Sequence, residues 1–462
     1  MPSVMQGNHA PIWTESDAYA LPVVGELPRN LCGTLYRNGP NPQFIPISPH
    51  HHWFGGDGMI HAFTIGDGRV RYRNRWVRTP KWLRENAAGR PLIDVFGPPD
   101  AERRADPEDK LSCVANTNIL AHAGRLLALE EGHPPVELDA GTLATIGLYR
   151  FGGDFAGPFT AHPKIDPRTG EMLFFGYFAA GAFTPDIAFG TVDAAGRLGP
   201  IQRFAAPYAS MVHDFCVTEG HVLFPVLPLT GSLERAMRGG PPFAWEPELG
   251  AHVGILPRGA PAGAIRWFRG SSRYVFHVMN AWEEGARIHA DVAQYEQAPL
   301  FPWPDGRPPD PARAEARLCR WTFDLGGGTD SFTSEYIDDL AGEFPRLDER
   351  RAGLPYRHGY YACHHGAGSG LNAIAHIDHA TGRRTLHALP EGDATSEPVF
   401  VPRAPDAAEG DGFLLAVVWR NGERRSDLLV LDAAAVDRAP LATVQLSHRV
   451  PFGFHGNFVA AA

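Results

Sequence analysis

Short runs of apolar or alternating residues recur along the whole chain and set the first expectation about its fold. Each run is short enough to suit a strand better than a helix, which needs a longer periodic segment. The clearest runs are 126–129, 172–178, 221–227, 274–279, 413–419 and 427–431.

Several strand-like segments end in an Asp followed, a few positions later, by a Gly. Asp hydrogen-bonds to its own downstream backbone, and Gly adopts the positive φ that tight turns need. The pattern predicts an antiparallel all-β protein. A β-propeller is the favoured architecture, because radial blades of about four strands let a long chain form one closed domain. Two β-sandwiches are the alternative. The turn pattern occurs at 65–68, 138–141, 165–170, 192–196 and 377–382.

Two segments depart from this pattern. Residues 232–238 follow a Leu-Pro-Leu-Thr-Gly loop and predict a short helix, whereas 299–311 are so rich in proline that an extended loop is expected. No linker with a shift in composition divides the chain, so we predict one domain over residues 1–462.

Composition narrows the possible partners. The chain has 462 residues, of which 44% are hydrophobic and 20% charged, as in an ordinary globular protein with a large core. It has 42 Lys and Arg against 52 Asp and Glu, so its net charge of −10 opposes binding to a phosphate backbone. We expect no nucleic acid partner, and no obligate protein partner is evident.

Cysteine usage and the N-terminal segment indicate the compartment. The five cysteines are an odd number with no C-x-x-C pair, which indicates neither a disulfide framework nor a thiolate zinc site. Residues 1–16 carry no signal-peptide pattern, and no apolar run is long enough to span a bilayer. We therefore expect a cytoplasmic protein. An apolar surface patch that contacts a membrane transiently is an alternative that the sequence leaves open.

Four of the 21 histidines stand beside small residues at the ends of apolar strands or loops, and we expect them to point inward. They are His162, His213, His277 and His455, and their spacings of 51, 64 and 178 residues differ from local zinc-ligand patterns. A shared site requires the fold to bring them together, as a propeller does at its axis. Imidazoles suit Fe, Cu, Zn or Ni. A buried structural role is the alternative for each histidine.

Several motifs together resemble the carotenoid cleavage oxygenases. The resemblance runs from about residue 30 to the C-terminus, leaving 1–29 as an N-terminal extension packed on the domain. It implies a seven-bladed β-propeller with an axial non-heme Fe(II) bound by the four histidines. It also implies a helical and loop cap over the iron site, enclosing an apolar tunnel. The motifs are 37–42, 52–61, 115–118, the four histidine settings, 343–346 and 396–402.

The resemblance also implies roles for residues around the iron. Glu131, Glu343 and Glu397 match glutamates that hold three of the iron-bound imidazoles, and a carboxylate in that place fixes the ring's tautomer and orientation. The alternative for Glu343 and Glu397 is a surface carboxylate. Thr117 matches a threonine whose methyl group crowds one open position at the iron. Phe54 and Phe301 match positions that line the tunnel.

The substrate is the least determined part of this resemblance. Segments 276–285 and 298–302 look most like the bacterial lignostilbene-cleaving branch, but Glu130 stands where that branch has a lysine that grips a phenol. The matching loop, 95–100, has no tyrosine. We expect Glu130 to face the tunnel and, being a carboxylate there, either to find a donor or to carry a raised pKa.

The resemblance to the carotenoid cleavage oxygenases implies a dioxygenase that cleaves a conjugated C=C bond with O₂ to give two carbonyl products. Because Glu130 would oppose a phenolate, the favoured substrate is a small hydrophobic polyene, an apocarotenoid or carotenoid. A stilbenoid or related phenylpropanoid alkene is the alternative. Two further alternatives are a metal-independent propeller that binds a ligand and a family member that isomerises or hydrolyses its substrate.

Overall fold

Antiparallel strands make up most of the ordered structure, as the alternating runs predict. The computed structural model describes residues 5–48, 51–97, 103, 106, 108–366 and 370–461. The strands within these ranges are β1 (Ser16–Ala18), β2 (Val23–Gly25), β3 (Gly33–Pro40), β4 (Gly58–Gly66), β5 (Arg69–Trp76), β6 (Asn118–His122), β7 (Arg125–Leu129), β8 (Val136–Leu138), β9 (Thr145–Leu148), β10 (Lys164–Ile165), β11 (Met172–Tyr177), β12 (Asp186–Val192), β13 (Gln202–Ala205), β14 (Cys216–Val217), β15 (His221–Val226), β16 (Leu229–Gly231), β17 (Phe243–Trp245), β18 (Ala251–Pro257), β19 (Arg266–Gly270), β20 (Tyr274–Glu284), β21 (Arg287–Tyr295), β22 (Arg317–Asp324), β23 (Thr333–Leu347), β24 (His358–Cys363), β25 (Ala373–Asp378), β26 (Arg383–Ala388), β27 (Ala394–Thr395), β28 (Val399–Pro402), β29 (Gly412–Arg420), β30 (Arg425–Asp432), β31 (Ala442–Gln445) and β32 (Gly456–Ala460).

Helices are few and short. The described residues contain two α-helices, α1 (Pro80–Ala88) and α2 (Leu233–Met237). The helix predicted at 232–238 is thus confirmed, with the Ser232 hydroxyl accepting from the Arg235 amide at 3.1 Å. The proline-rich segment 299–311 contains no strand and is irregular up to a 3₁₀ turn at its end. The 3₁₀ turns are Gly7–His9, Trp53–Gly55, Lys110–Ser112, Pro247–Leu249, Ala262–Ala264, Pro311–Arg313 and Glu349–Arg351.

The helix α1 was not predicted, because two of its three buried residues, Lys81 and Glu85, are charged. Thr79 caps its first turn, and Gly89 ends it with a φ of 65°. Inside, the Lys81 ammonium lies 2.8 Å from an Asp57 carboxylate oxygen and 2.9 Å from a Glu85 carboxylate oxygen. A buried cation between two carboxylates replaces the apolar stripe from which helices are recognised in a sequence.

The strands form sheets in which sequence neighbours pair. The long strand β23 belongs to two sets of paired strands. Its residues 333–341 pair with β22, and its residues 342–347 pair with β24. With the sets β20–β23 and β23–β26 counted separately, the described residues hold seven antiparallel sets of at least four strands. The sheet orders are β1-β5-β4-β3-β32, β6-β7-β8-β9, β10-β11-β12-β13, β14-β15-β18-β19, β16-β17, β20-β21-β22-β23-β24-β25-β26, and β2-β31-β30-β29-β27 with β28 also paired to β29.

The chain forms two compact units. The first comprises 1–159, 365–376 and 384–462, and the second comprises 160–364 and 377–383. The single domain predicted for 1–462 stays a prediction. No helix in the described part of the chain is both long and apolar enough to cross a membrane.

In the first unit, strands from the two ends of the chain share sheets. The last strand, β32, pairs with β3 from Gly33↔Ala460 to Arg37↔Gly456. Within the N-terminal extension, β1 pairs with β5 and β2 pairs with β31. These pairings fix the position of the residues just before β32, which include His455.

Apolar side chains fill the space between facing sheets. In the first unit, the sheet of β3–β5 packs on β28–β31 through residues such as Phe63 and Leu415, and on β6–β8 through Ile60 and Leu126. In the second unit, β11 and β12 pack on β15 and β18 in the same way. Burial of apolar area between sheets is the main stabilising contribution to such a fold.

Gly58 at the start of β4 provides a test of this packing. A Cβ there would overlap the Ala115 carbonyl oxygen, whereas a Cβ at Gly66, the last residue of the same strand, would meet no atom within 4 Å. We expect Gly58→Ala to destabilise the protein by about 1–3 kcal/mol, because the backbone of the 114–115 loop must move. Thermal unfolding followed by circular dichroism measures the effect.

Gly66→Ala is the matched control. It removes a glycine from the same strand without a collision, so its melting temperature should equal or slightly exceed that of the wild type. Equal melting temperatures for both variants would show that the close approach at Gly58 is unimportant.

Candidate metal centre

The four predicted ligands occupy equivalent places in four different sheets. His162 and His213 lie just before β10 and β14, His455 lies directly before β32, and His277 is the fourth residue of β20. Each of these strands is the edge strand of its sheet. One histidine on or shortly before each of four edge strands is the kind of arrangement that the propeller hypothesis required.

Three of the histidines meet through their Nε2 atoms. The Nε2 of His213 lies 3.1 Å from that of His162 and 3.3 Å from that of His277, and all three side chains are buried. Metal–nitrogen bonds of about 2.1 Å at angles of roughly 90–110° would separate two ligand nitrogens by roughly 3.0–3.4 Å. The observed spacing therefore fits three ligands of one metal ion.

His455 is the fourth member of this set. Its backbone is held on both sides, since its amide donates to the Thr117 carbonyl at 3.1 Å and its carbonyl accepts from the Asn38 amide at 2.9 Å. Ligand atoms of all four histidines lie within 4.8 Å of one another. That these four histidines are the ligands of a metal ion stays a prediction.

The Glu343 carboxylate contacts the His277 ring. One Glu343 carboxylate oxygen lies 2.5 Å from the His277 Nδ1, and the other accepts from the Tyr295 hydroxyl at 2.9 Å. With its Nδ1 proton donated to a carboxylate, the ring presents the Nε2 lone pair. Burial and the nearby Glu343 charge raise the pKa of Tyr295 well above its usual value, so the phenol stays a donor. Tyr295 was not predicted.

A local distortion of β23 places this carboxylate. The pairing with β24 shifts register between Glu343 and Arg346, and Phe344 has a φ of 56°. Positive φ is uncommon for an aromatic residue, and such strain concentrates at functional sites. The Phe344 ring also stacks on the His277 ring, with centroids 5.2 Å apart. The bulge therefore positions both the carboxylate and a face of the imidazole.

Glu397 orients His455 in the same manner. Its carboxylate accepts from the His455 Nδ1 at 3.0 Å and from the Gly456 amide at 3.0 Å, and it is buried. Arg37 is also buried, and burial lowers its pKa to about 10 although the Glu397 charge acts in the opposite direction. Glu397 is therefore a buried partner of an imidazole, and Glu343 is a largely covered one with 12% of its side chain exposed. Their role at a metal ion stays a prediction.

Asp214 connects the three segments that carry His162, His213 and His277. This buried residue follows His213, and its carboxylate lies 2.7 Å from the Lys164 ammonium and accepts from the Val278 amide at 2.9 Å. Lys164 and Val278 in turn lie close in sequence to the other two histidines. Sequence reasoning missed this network, although a charged residue directly after an inward-facing histidine was a usable signal.

The other predicted residues lie among aromatic and polar neighbours. The Phe54 ring packs edge-on against Phe454 at 5.3 Å, and the buried Phe301 ring packs edge-on against Phe243 at 6.0 Å. The Thr117 hydroxyl donates to the Asn116 side chain at 3.0 Å. Their roles towards a substrate, and the pairing of Glu131 with an imidazole, stay predictions.

Glu130 has found donors, one of the two outcomes expected for it. Its carboxylate accepts from the Val114 amide at 3.1 Å and forms a very short contact with the His133 Nδ1. The prediction that it faces a substrate tunnel is untested. In the loop 95–100 that lacks a tyrosine, residues 98–100, including Pro99, lie outside the described residues.

These contacts define what the centre can do chemically. Four buried neutral imidazoles leave a divalent metal ion its full charge and open coordination positions. For His277 and His455 a carboxylate also fixes which nitrogen faces inward. The residues present therefore fit a divalent transition metal.

Comparison with protein families and curated sequences identifies relatives over almost the whole chain. Residues 9–460 match the family described as retinal pigment epithelial membrane protein. The chain is 40% identical to isoeugenol monooxygenase of Pseudomonas putida, over 98% of this chain and 97% of the relative.

Solved structures of two oxygenases superpose on almost the whole chain. Lignostilbene dioxygenase of Pseudomonas brassicacearum superposes with a TM-score of 0.94 at 34% identity, covering 100% of this chain and 99% of the other. A Trp149Ala mutant of the Synechocystis apocarotenoid oxygenase superposes with a TM-score of 0.87 at 31% identity, covering 98% and 97%. The predicted fold class, an all-β seven-bladed propeller, is confirmed.

Two variants, one severe and one mild, test the Glu343 carboxylate that contacts His277. Glu343→Gln should weaken metal binding by about 10- to 100-fold, because it removes the charge that holds the Nδ1 proton. Tyr295→Phe removes one of the donors to Glu343 and should have a smaller effect in the same direction. Metal retained per chain against a competing chelator measures both.

Tyr36→Phe is the control for Tyr295→Phe. It also removes one hydroxyl, but that hydroxyl donates to the Ala140 carbonyl at 3.1 Å. Metal affinity should be unchanged in Tyr36→Phe. An unchanged affinity in Glu343→Gln as well would refute the role of this carboxylate.

Asp214→Asn tests the network beneath the three histidines. Losing the charge leaves the Lys164 ammonium without its partner, so we expect the histidine segments to shift and metal affinity to fall by about tenfold or more. Asp166→Asn is the control, because Asp166 pairs with Arg258 at 2.7 Å. If both variants lose metal affinity equally, Asp214 has no special positioning role.

Proposed function

Because the chain belongs to the retinal pigment epithelial membrane protein family, that of the carotenoid cleavage oxygenases, we propose that it cleaves a conjugated C=C bond with O₂. It is an oxygenase of the carotenoid cleavage type. The observation that carries the proposal is the set of four buried imidazoles within 4.8 Å of one another. We assign this centre to Fe(II).

His162, His213, His277 and His455 would hold the ion, which when bound supplies the one-electron chemistry that O₂ requires. Glu343 and Glu397 keep the Nδ1 proton of their imidazoles in place, so the rings stay neutral ligands. Tyr295 stays protonated and donates to Glu343. In the balanced reaction the double bond and O₂ give two carbonyl groups, each taking one oxygen atom.

An apocarotenoid is the proposed substrate. The similarity to the Synechocystis apocarotenoid oxygenase over 98% of the chain supports it. The Phe54 and Phe301 rings offer faces on which a flat conjugated chain can pack. A carboxylate at position 130, where stilbene cleavers place a lysine, also gives no help in forming a phenolate.

A phenylpropanoid or stilbenoid alkene is the second candidate. It is favoured by the 40% identity to isoeugenol monooxygenase and by the TM-score of 0.94 to lignostilbene dioxygenase. The contact with His133 also pairs the Glu130 charge, which reduces its repulsion of a phenolate. The two candidates differ in the substrate and share the metal centre.

A substrate panel under isotopically labelled O₂ tests the proposal. Protein loaded anaerobically with Fe(II) should hold about one iron per chain and cleave a panel member to two carbonyl products. Labelled oxygen in both products identifies a dioxygenase; label in one identifies a monooxygenase. The panel contains apocarotenals, hydroxystilbenes and propenylphenols, and the ranking of kcat/KM decides between the substrate classes.

Alanine variants of the four histidines complete this test. Each of His162→Ala, His213→Ala, His277→Ala and His455→Ala should lose iron and turnover while retaining the circular dichroism of the wild type, because sheet packing stabilises the fold. Wild-type turnover in any one of them would refute the four-histidine centre. A wild type that retains no metal after reconstitution would favour the ligand-binding alternative.

A further inference from the structure

A second cluster of metal-binding side chains lies in the first unit. The Cys113 thiol, the Glu130 carboxylate and the His133 imidazole each contribute a ligand atom, and these atoms lie within 4.8 Å of one another. Cys113 follows the 3₁₀ turn Lys110–Ser112, and the other two residues lie in the loop after β7. All three side chains are at least nine-tenths buried.

The outward-facing atoms of this cluster are already hydrogen-bonded. The His133 Nε2 lies 3.0 Å from the Asp109 carbonyl oxygen, to which it can donate. The second Glu130 oxygen accepts from the Val114 amide at 3.1 Å. This leaves Nδ1 of His133 and one Glu130 oxygen directed at each other, with the thiol nearby. Metal-binding histidines commonly donate their other N–H to a backbone carbonyl, as His133 does.

We propose that Cys113, Glu130 and His133 form a second metal site, for a divalent transition metal of the zinc class. Thiolate, imidazole and carboxylate are the ligand types that Zn²⁺ takes in proteins. Thiolate and carboxylate supply two negative charges, which balance those of the ion in a buried place. Three protein ligands leave the fourth position to a water molecule.

The pKa values of both His133 and Cys113 are raised. Burial opposes charge on His133, but the Glu130 carboxylate outweighs it and raises the pKa of the imidazole. Burial and the Glu130 charge raise the pKa of the Cys113 thiol well above its usual value. A metal ion would compete with protons for these two ligand atoms. The Nδ1 and carboxylate oxygen must also separate, since tetrahedral ligands stand roughly 3.4–3.6 Å apart.

The site would join two loops that also carry residues predicted to serve the four-histidine centre. Thr117 follows Cys113 in sequence, and Glu131 lies between Glu130 and His133. A metal at Cys113 would fix the spacing of these loops. The absence of a C-x-x-C pair argued against a thiolate zinc site, but that rule concerns ligands close in sequence, and here β6 and β7 separate the thiol from the other two ligands.

Cobalt spectroscopy tests the site without using activity. Full-length protein is first loaded with Fe(II) at the four-histidine centre, then titrated anaerobically with Co²⁺. A thiolate ligand gives a sulfur-to-cobalt charge-transfer absorption, which a site made only of histidines cannot produce. We expect this band to saturate at about one Co²⁺ per chain and to be displaced by Zn²⁺.

Matched cysteine variants assign the band. Cys113→Ser should abolish it, whereas Cys216→Ser, which changes another fully buried thiol, should retain it. His133→Asn should weaken cobalt binding at least tenfold. This variant provides the test if Cys113→Ser proves unstable. Absence of the band in the wild type, or its persistence in Cys113→Ser, would overturn the proposal and leave the iron centre unaffected.

The pH dependence gives an independent check. Because a metal ion competes with protons for the thiolate and the imidazole, cobalt affinity should fall as the pH is lowered. A pH-independent affinity would contradict the exchange of protons for metal at Cys113 and His133.

Discussion

A carboxylate can be taken out of water only where hydrogen-bond donors surround it, and this requirement governs the contacts of Glu343 and Glu397. Glu343 is held by an imidazole, a tyrosine hydroxyl and a backbone amide, and Glu397 by an imidazole and the amide of Gly456. The donors that satisfy each carboxylate include one of the four clustered histidines. The same hydrogen bond therefore both stabilises the charge and orients the imidazole.

The sheets determine where the histidines that donate these hydrogen bonds lie. Each ligand histidine lies at the start of an edge strand or on it, where one side of the backbone has no neighbouring strand and side chains can turn towards a shared point. Irregular backbone completes the geometry, as in the bulge at Phe344 with its positive φ. Regular strand pairing makes the backbone rigid, and local irregularities such as bulges change the direction in which individual side chains point.

The loop after β7 carries residues proposed for two different metal sites, the iron centre and the Cys113 cluster. Glu131 is expected to serve the iron centre, while its neighbour Glu130 turns to His133 and Cys113. A buried acid beside a buried thiol and imidazole is costly unless protons or a metal ion balance the charges. Whichever balances them also determines the net charge of this cluster.

The amino-acid sequence by itself determined the all-β class, the helix at 232–238 and the four histidines, because strand periodicity, turn residues and family motifs are local or ordered along the chain. Only the tertiary structure revealed Asp214, Tyr295 and the cluster at Cys113, whose partners lie many residues away and carry no local pattern. The helix α1 was hidden for a related reason, since its buried Lys81 is satisfied by Asp57 on another segment. Polar groups are buried according to their partners in space, which strand pairing decides.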